Sequence, residues 1–586
     1  MKHLFFLSSF LFLVMSSFAT VIHVPGDQPE IQAGIEIAAN GDTVLVADGI
    51  YFENINLLGK EITLASYYLI DGDKSHIDNT IIDGSKAADP DKASVIELVS
   101  GENRATIISG FTIRNGGGTF PDPEGTRSGG GIYCIESEAT LSNNKIVNNL
   151  QGVEGTVYGG GIYMYNSEMI ISNCLFENNK ATRGGGIYSK NSDLEIEYCD
   201  FSGNQAKEHA GAVFFANNDN SADNHTLIVN ISNFLNNYCE ENTAGLMVRN
   251  DASNGTTVTF EMDKSKFDNN NAAQRSGLNI RGNNLFYDVY NTVFSFNKAD
   301  NYAAGVSLSN ECSGSFYNCI FNSNNADLSG NGYNSGGVSV WSFAEAEFVN
   351  CVFADNKASV GAALTVGGGG IAKAVNSIFW NNSPDQIALT SYDNQGGTLE
   401  ISYCDIQGGP SQIGVSEDSE LTEGDGNLNA DPGFITGDEK PYSITEGSPC
   451  IDAGTDEGID LPLGDIIDNF RVWDGNNDGN TIVDIGAYEF DAGPLPLVNE
   501  QYFNKNLINA YPNPSISTIN FEAIDKNIRI QSFQIIDLRG RTIETVDISN
   551  GGLQTVRYNT VSLTPGIYFC KVSISGGISV VRFVVK

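Results

Sequence analysis

The sequence predicts an all-β protein, a parallel β-helix followed by a small C-terminal β-sandwich. Three observations predict it. GGGIY occurs at 129–133, 159–163 and 184–188, and degenerate copies follow from AGAVF (210–214) to GAALT (361–365). Between copies stands a second element, an apolar anchor with an Asn three residues later. The anchors are Ile146, Phe176, Phe201, Phe234, Phe267, Phe294, Phe321, Phe353 and Phe379. Beyond residue 506 the pattern changes to alternating apolar and polar residues, as in the strands of a sandwich. The first two patterns repeat with a period near 25 residues, lengthened where loops are inserted. That is the signature of stacked short strands with Gly/Asn turns.

The chain begins MKHLFFLSSFLFLVMSSFAT, with Lys2, an apolar run and small residues at 17 and 19. We read residues 1–19 as a secretory signal peptide, since the run is short for a bilayer span. No other stretch is apolar enough to cross a membrane. The formal charge is −40, from 32 Lys+Arg against 72 Asp+Glu. This balance argues against nucleic acid and anionic lipid surfaces, where binding relies on Lys and Arg. At 586 residues the chain exceeds one ordinary domain.

Residues 20–410 form the expected β-helix. Its open first end needs a cover, and DQPEIQAGIEIAANG suits a capping helix over 27–40. Asp27 would be its N-cap, and Ile31, Ile35 and Ala38 its apolar face. Strands follow from residue 41. Within the repeat, the first and third residues after the last glycine are apolar and point inward. A bend falls between five and two residues before each anchor. The position two before the anchor holds Asn144, Cys174, Cys199, Ser232, Ser265, Thr292, Cys319, Cys351, Ser377 and Cys404. Five of the ten cysteines thus share one column with Ser and Thr, which favours packing over disulfides. The Asn column is expected to hydrogen-bond along itself. Gly409 stands where it would continue, so the array is expected to stop there.

These residues resemble the pectin-lyase-like superfamily of right-handed parallel β-helices. The Gly-Gly-x-Ile and Phe-x-x-Asn elements resemble the repeats of chlamydial polymorphic outer-membrane proteins. The superfamily contains lyases, hydrolases, esterases and adhesins, so the resemblance implies a fold and no single activity.

DPGF (431–434), GSPCIDAG (447–454) and VDIGAYEF (483–490) resemble a segment that follows such coils in surface-anchored bacterial proteins. We expect 411–490 to wrap on the last rungs. Its DGNNDG places Asp474, Asn476 and Asp478 at alternate positions, a spacing that can present oxygens to Ca²⁺. Ile485 stands where a bidentate Glu would be, and an Asn/Asp/Gly turn is the alternative. Calcium is the one candidate cofactor. Residues 491–505 read as a linker. Over 506–586, NAYPNPSISTINF, IIDLRGRTIETV, LTPGIYFCKVSISGG and VVRFVVK closely resemble the type A C-terminal sorting domain of the type IX secretion system of Bacteroidota. The resemblance implies that machinery as a partner. It also implies removal of the domain and attachment to the outer-membrane surface or release.

Chemistry on the coil would sit on outward positions. Two rows alternate with the inward ones. One contains Tyr133, Tyr163 and Tyr188; the other contains Tyr165, Lys190, Phe215, Arg249, Arg281 and Trp341. If exposed, aromatic rings can stack on sugar faces and Arg can pair with glycan carboxylates. Catalysis would need clustered carboxylates, and no Asn-Thr-Asp, Asp-Asp or Gly-His-Gly stands in the coil. Asp219, Asp223 and Asp251 near Arg249 and Arg281 leave a lyase open. The five His are scattered, and His209 is read as filling a glycine slot. We expect a monomeric, exported, non-catalytic protein for adhesion or extracellular polysaccharide binding. A polysaccharide lyase and a purely structural surface stalk are the alternatives.

Overall fold

The computed structural model describes residues 19–585 except 153, 219–221, 327–333, 436, 438–439, 496–507, 512–514, 516, 524–528, 538–541, 549–551, 564–565 and 575–576. The expected signal peptide, apart from Ala19, lies outside the described residues, as does most of the expected linker. Contacts divide the chain into two compact units. One is Met1–Ile228 with Ser232–Met247 and Asp251–Thr256; the other is Val229–Ile231 with Val248–Asn250 and Thr257–Lys586.

In the first unit a single coil shows the logic. Its strands are Ile162–Tyr165, Glu168–Ser172 and Leu175–Glu177, with a short fourth at Lys180–Arg183. Each pairs in parallel with its counterpart one coil later: Ile162 with Ile187, Glu168 with Asp193, Leu175 with Asp200, Lys180 with Gln205. The chain turns at four left-handed residues, Asn166, Asn173, Asn178 and Gly184, with φ of 49°, 51°, 54° and 63°. Asn and Gly accept that conformation most readily. The glycine triplet therefore serves two needs. Gly184 makes the bend, and a Cβ on Gly185 would lie 2.3 Å from the Gly211 carbonyl of the next coil.

Each corner removes a backbone N–H from the strand ladder, and a buried donor needs an acceptor. Two side-chain columns supply it. Asn204 Oδ1 accepts from Asn179 N at 3.1 Å and from Asn179 Nδ2 at 3.0 Å, and Asn237 Oδ1 does the same for Asn204. Each Nδ2 also donates to an anchor carbonyl, as Asn204 does to Phe176 O at 2.8 Å. The column Asn is not itself left-handed; the residue before it is. The column of small residues works alike. Cys174 N donates to Cys199 Sγ at 3.4 Å and Cys199 N to Ser232 Oγ at 3.0 Å. Inside, Phe176 stacks on Phe201 at 4.6 Å and Phe201 on Phe234 at 5.0 Å.

The first end is covered by the helix Ile31–Ile37, which buries Ile31 and Ile35. It is shorter than expected, and Asp27 is not its cap. Asp27 takes the N–H of His23. The helix start is met by Glu53, whose two oxygens accept from Ile31 N and Gln32 N at 2.9 Å. The capping carboxylate comes from the next coil, where no local pattern reveals it.

The second unit repeats the plan. Val258–Asp263, Leu285–Tyr290, Ser313–Tyr317, Glu345–Val349, Ile371–Val375, Thr398–Ser402 and Glu420–Glu423 pair successively in parallel. Phe267, Phe294, Phe321, Phe353 and Phe379 stack at 4.6–5.1 Å. The Asn column ends at Asn382, whose N and Nδ2 donate to Gln386 Oε1. Parallel pairing nevertheless continues beyond Gly409, because the strands of the last coil still find partners at Gly414–Val415, at Glu420–Glu423 and, through a single bridge, at Leu428.

The chain then returns along this coil. Ile444, Cys450, Ile466, Ile485 and Ala487 pack on the outward side chains Ile320, Val352 and Ile378. The left-handed corner asparagines hold the returning backbone. Asn350 Nδ2 donates to Asp484 O at 2.8 Å and Asn376 Nδ2 to Thr455 O at 2.8 Å. Residues 508–585 form separate antiparallel sheets of three and four strands. Their shared core includes Ile519, Phe521, Phe533, Ile535, Val572 and Phe583. The protein is thus all-β: a parallel β-helix and a small C-terminal antiparallel sandwich.

Candidate functional site

In the first unit, Tyr133, Tyr163, Tyr188 and Phe214 stand in register on successive strands. Tyr133 and Tyr163 stack at 5.8 Å, and Tyr188 and Phe214 at 5.0 Å. They face away from the coil interior, yet they are not exposed: Tyr133 is 6%, Tyr163 0% and Tyr188 3% accessible. The inserted stretch 120–128 and the fourth strand lie over them. Lys190 Nζ pairs with the Glu124 carboxylate, Tyr158 packs edge-on to Tyr188, and Asp122 is fixed by Ser128 and Thr126. Lys190 is accordingly buried. Burial, reinforced by Asp122, raises the pKa of Tyr133 and Tyr163 well above the ordinary phenol value. The Tyr163 hydroxyl has no hydrogen-bond partner among the described residues. The expected exposed face is therefore corrected for Tyr133, Tyr163, Tyr188 and Lys190. Facing outward from a coil is not the same as facing water.

Phe215 is corrected for another reason. Ala212, not Gly211, takes the place of the third glycine, so the count shifts by one. Phe214 aligns with Tyr188, and Phe215 aligns with inward Ser189 and is fully buried. The same shift places His209 beside Arg183 and gives the glycine slot to Ala210, whose φ is 54°. Tyr165, the neighbour of Lys190, remains partly buried.

In the second unit, Arg249, Arg281 and Trp341 are partly buried. Arg281 pairs with Ser309, and Leu308 with Val340, so Trp341 continues the same column. Val340 pairs with Val366, which puts Trp341 beside Gly367. Its ring meets Tyr392 at 6.4 Å, and Phe343 follows two residues later. Phe343 and Tyr392 were not singled out from the sequence. The signal was available in the four glycines 367–370, a coil corner without side chains that leaves room for neighbouring rings. Close to Arg281, Arg275 stacks over Tyr302 at 4.4 Å and donates to Ser307 Oγ. Burial, with Arg281 adding to it, lowers its pKa from the ordinary guanidinium value. Asp223 and Asp251 are exposed and belong to the first unit; Asp219 lies outside the described residues.

The 474–479 turn uses its side chains on its own backbone. Asp474 accepts from Asp478 N and Gly479 N, Asn476 from Asp478 N, and Asp478 from Asn480 N, at 2.8–3.0 Å. Among the described residues no three His, Cys, Asp or Glu side chains gather as metal ligands. All ten cysteines are buried and free. A fully buried Arg–Glu pair lies in the returning segment. Arg471, 1% accessible, donates to the carbonyls of Gly486, Ala487 and Tyr488 and pairs with Glu489 at 3.2 Å. Burial pushes Glu489 up to about 9 against the pull of Arg471, and Asp484 up to about 6.

No curated protein matches the chain. Among solved structures, a crystal structure of pectate lyase Pel9A is similar over 81% of this chain and 97% of that one, with 10% identity and a TM-score of 0.33. Residues 509–586 match the family model of the secretion system C-terminal sorting domain. No helix among the described residues is long and apolar enough to cross a membrane. The sorting domain marks the protein as a client of the type IX machinery: it is exported, its tail is removed, and it is attached to the cell surface or released.

Proposed function

We propose that the exported coil binds extracellular polysaccharide without cleaving it and serves adhesion. The observation that supports this is the column in the second unit where Arg281, Ser309, Trp341 and Gly367 follow one another in register. That column carries a guanidinium and an indole, both partly accessible, two rungs apart with Ser309 between them. A polymer lying along that edge would meet an aromatic face and hydrogen-bond donors together.

A second reading is a polysaccharide lyase. Arg275 favours it by its place: it lies close to Arg281, stacked over Tyr302 and bonded to Ser307. Two guanidinium groups there could serve a uronate, and burial lowers the Arg275 pKa in the direction that proton abstraction requires. The full chain, incubated with acidic and neutral polysaccharides and Ca²⁺, separates these. Retention in affinity gels without unsaturated product or new reducing ends supports binding. Turnover lost in Arg275→Ala, Arg281→Ala or Arg249→Ala makes the protein a lyase. Neither signal leaves a structural stalk. Calcium at the Asp474 turn is tested in the same samples by melting with and without EDTA.

A further inference from the structure

We propose that Trp341, Phe343 and Tyr392 form a sugar-binding shelf for a neutral pyranose of an extracellular polysaccharide; this rests on the glycan-binding reading above and names its site. The shelf is built on missing side chains. A Cβ on Gly368 would lie 2.7 Å from Trp341 Cε3, and one on Gly369 would lie 2.5 Å from Phe343 Cε1. Both rings therefore lie against bare glycine backbone of the next coil. Phe343 is nonetheless 50% accessible and Tyr392 62%. Tyr392 meets Trp341 at an interplanar angle of 65°, so it stands as a wall beside the indole rather than covering it.

The backbone is organised to hold this display. Ser342 and Phe343 are both left-handed, with φ of 54° and 62°. The earlier coil has Asn310 and Glu311 as its left-handed pair at this corner. A bulky aromatic is disfavoured there. A strained residue that also leaves an apolar ring in water gains nothing for the fold from that exposure. Tyr392 sits on a tight turn closed by its own bonds with Gln395, across left-handed Asp393 and Asn394. The ring is thus presented from a rigid support, which lowers the ordering cost of binding.

Charge selects the occupant. Exposed Asp393 borders the wall, and Asp418 is held next to it by Ser391 Oγ at 2.9 Å. Lys373, on the strand that follows the glycines, is paired with Glu347 at 2.9 Å. A uronate would meet carboxylates at this rim, whereas the hydroxyls of a neutral sugar can donate to them. The C–H face of a pyranose matches the open ring faces.

The test is affinity electrophoresis of the full chain in gels containing neutral β-glucan, xylan, mannan or starch, with polygalacturonate and alginate as acidic polymers. Retention on a neutral polymer is expected, weakened at least tenfold in Tyr392→Ala and Phe343→Ala. Phe296→Ala, which removes another exposed ring, should bind as the parent does. Trp341→Phe reports independently, because sugar-induced indole fluorescence change should vanish with it. Melting curves of each variant establish that it folds. Parent retention that both alanine variants keep overturns the shelf and leaves the glycan-binding reading standing. Retention on acidic polymers alone overturns the neutral sugar. No retention on any polymer overturns the shelf and that reading together.

Discussion

Cys199 shows how a repeat constrains a residue without constraining its identity. Its sulfur accepts the N–H of Cys174, and Ser232 accepts the N–H of Cys199. What the position requires is a small side chain with an acceptor. Cys199→Ser should therefore change stability by less than about 1 kcal/mol, while Cys199→Ala should lose about 1–3 kcal/mol by orphaning a buried donor. Denaturant unfolding of the two variants measures this, and equal losses would refute the acceptor role. Asn204→Ala should cost more, since its side chain serves two neighbouring coils at once. The thiols give a separate check. Burial pushes Cys134, Cys239, Cys312 and Cys404 up to about 12, so the native chain should react slowly with a thiol reagent at neutral pH. The denatured chain should show all ten thiols without added reductant.

Elements differ in how far the sequence reveals them. The coil was legible because stacking forces like residues into columns, so Phe201, Asn204 and Cys199 each recur at a fixed offset. Strand parity was legible for the same reason. Exposure was not. Whether Tyr163 meets water depends on residues 120–128, an insertion that belongs to no repeat and leaves no periodic trace. The Glu53 cap is a long-range pairing that is equally silent in sequence; the motifs of 411–490 announce a wrap, but not that Asn350 and Asn376 hold it. The returning segment carries its own prediction. Glu489 has a folded pKa raised to about 9, so its contribution to stability is present below the unfolded carboxyl value near 4.3 and lost as pH rises toward 9. Glu489→Gln removes that titration. Relative to the parent, it should gain on the order of a few kcal/mol between about pH 4 and pH 9. Melting both across that range checks the sign; a constant offset would mean that Glu489 is ionised throughout.

At the scale of the molecule, the question is which parts are needed after export. The buried residues of the C-terminal core all lie within 508–585, so the tail carries its own apolar interior. The returning segment is different, because Ile444, Ile466 and Ile485 cover Ile320, Val352 and Ile378 on the coil. Removing the two should have opposite consequences. A chain ending at 495 should melt within about 2 °C of the full protein's coil transition, since no coil side chain in that core is uncovered. A chain ending at 423 bares a contiguous apolar strip and leaves the corner side chains of Asn350 and Asn376 without their backbone partners, and should aggregate or bind a hydrophobic dye. In cells, the chain ending at 495 should fold but fail to reach the surface, because the sorting domain is gone. Fractionation and protease shaving of intact cells read this directly. Surface delivery without residues 509–586 would show that export relies on another segment, and loss of folding would show that the tail is part of the coil's structure rather than its address.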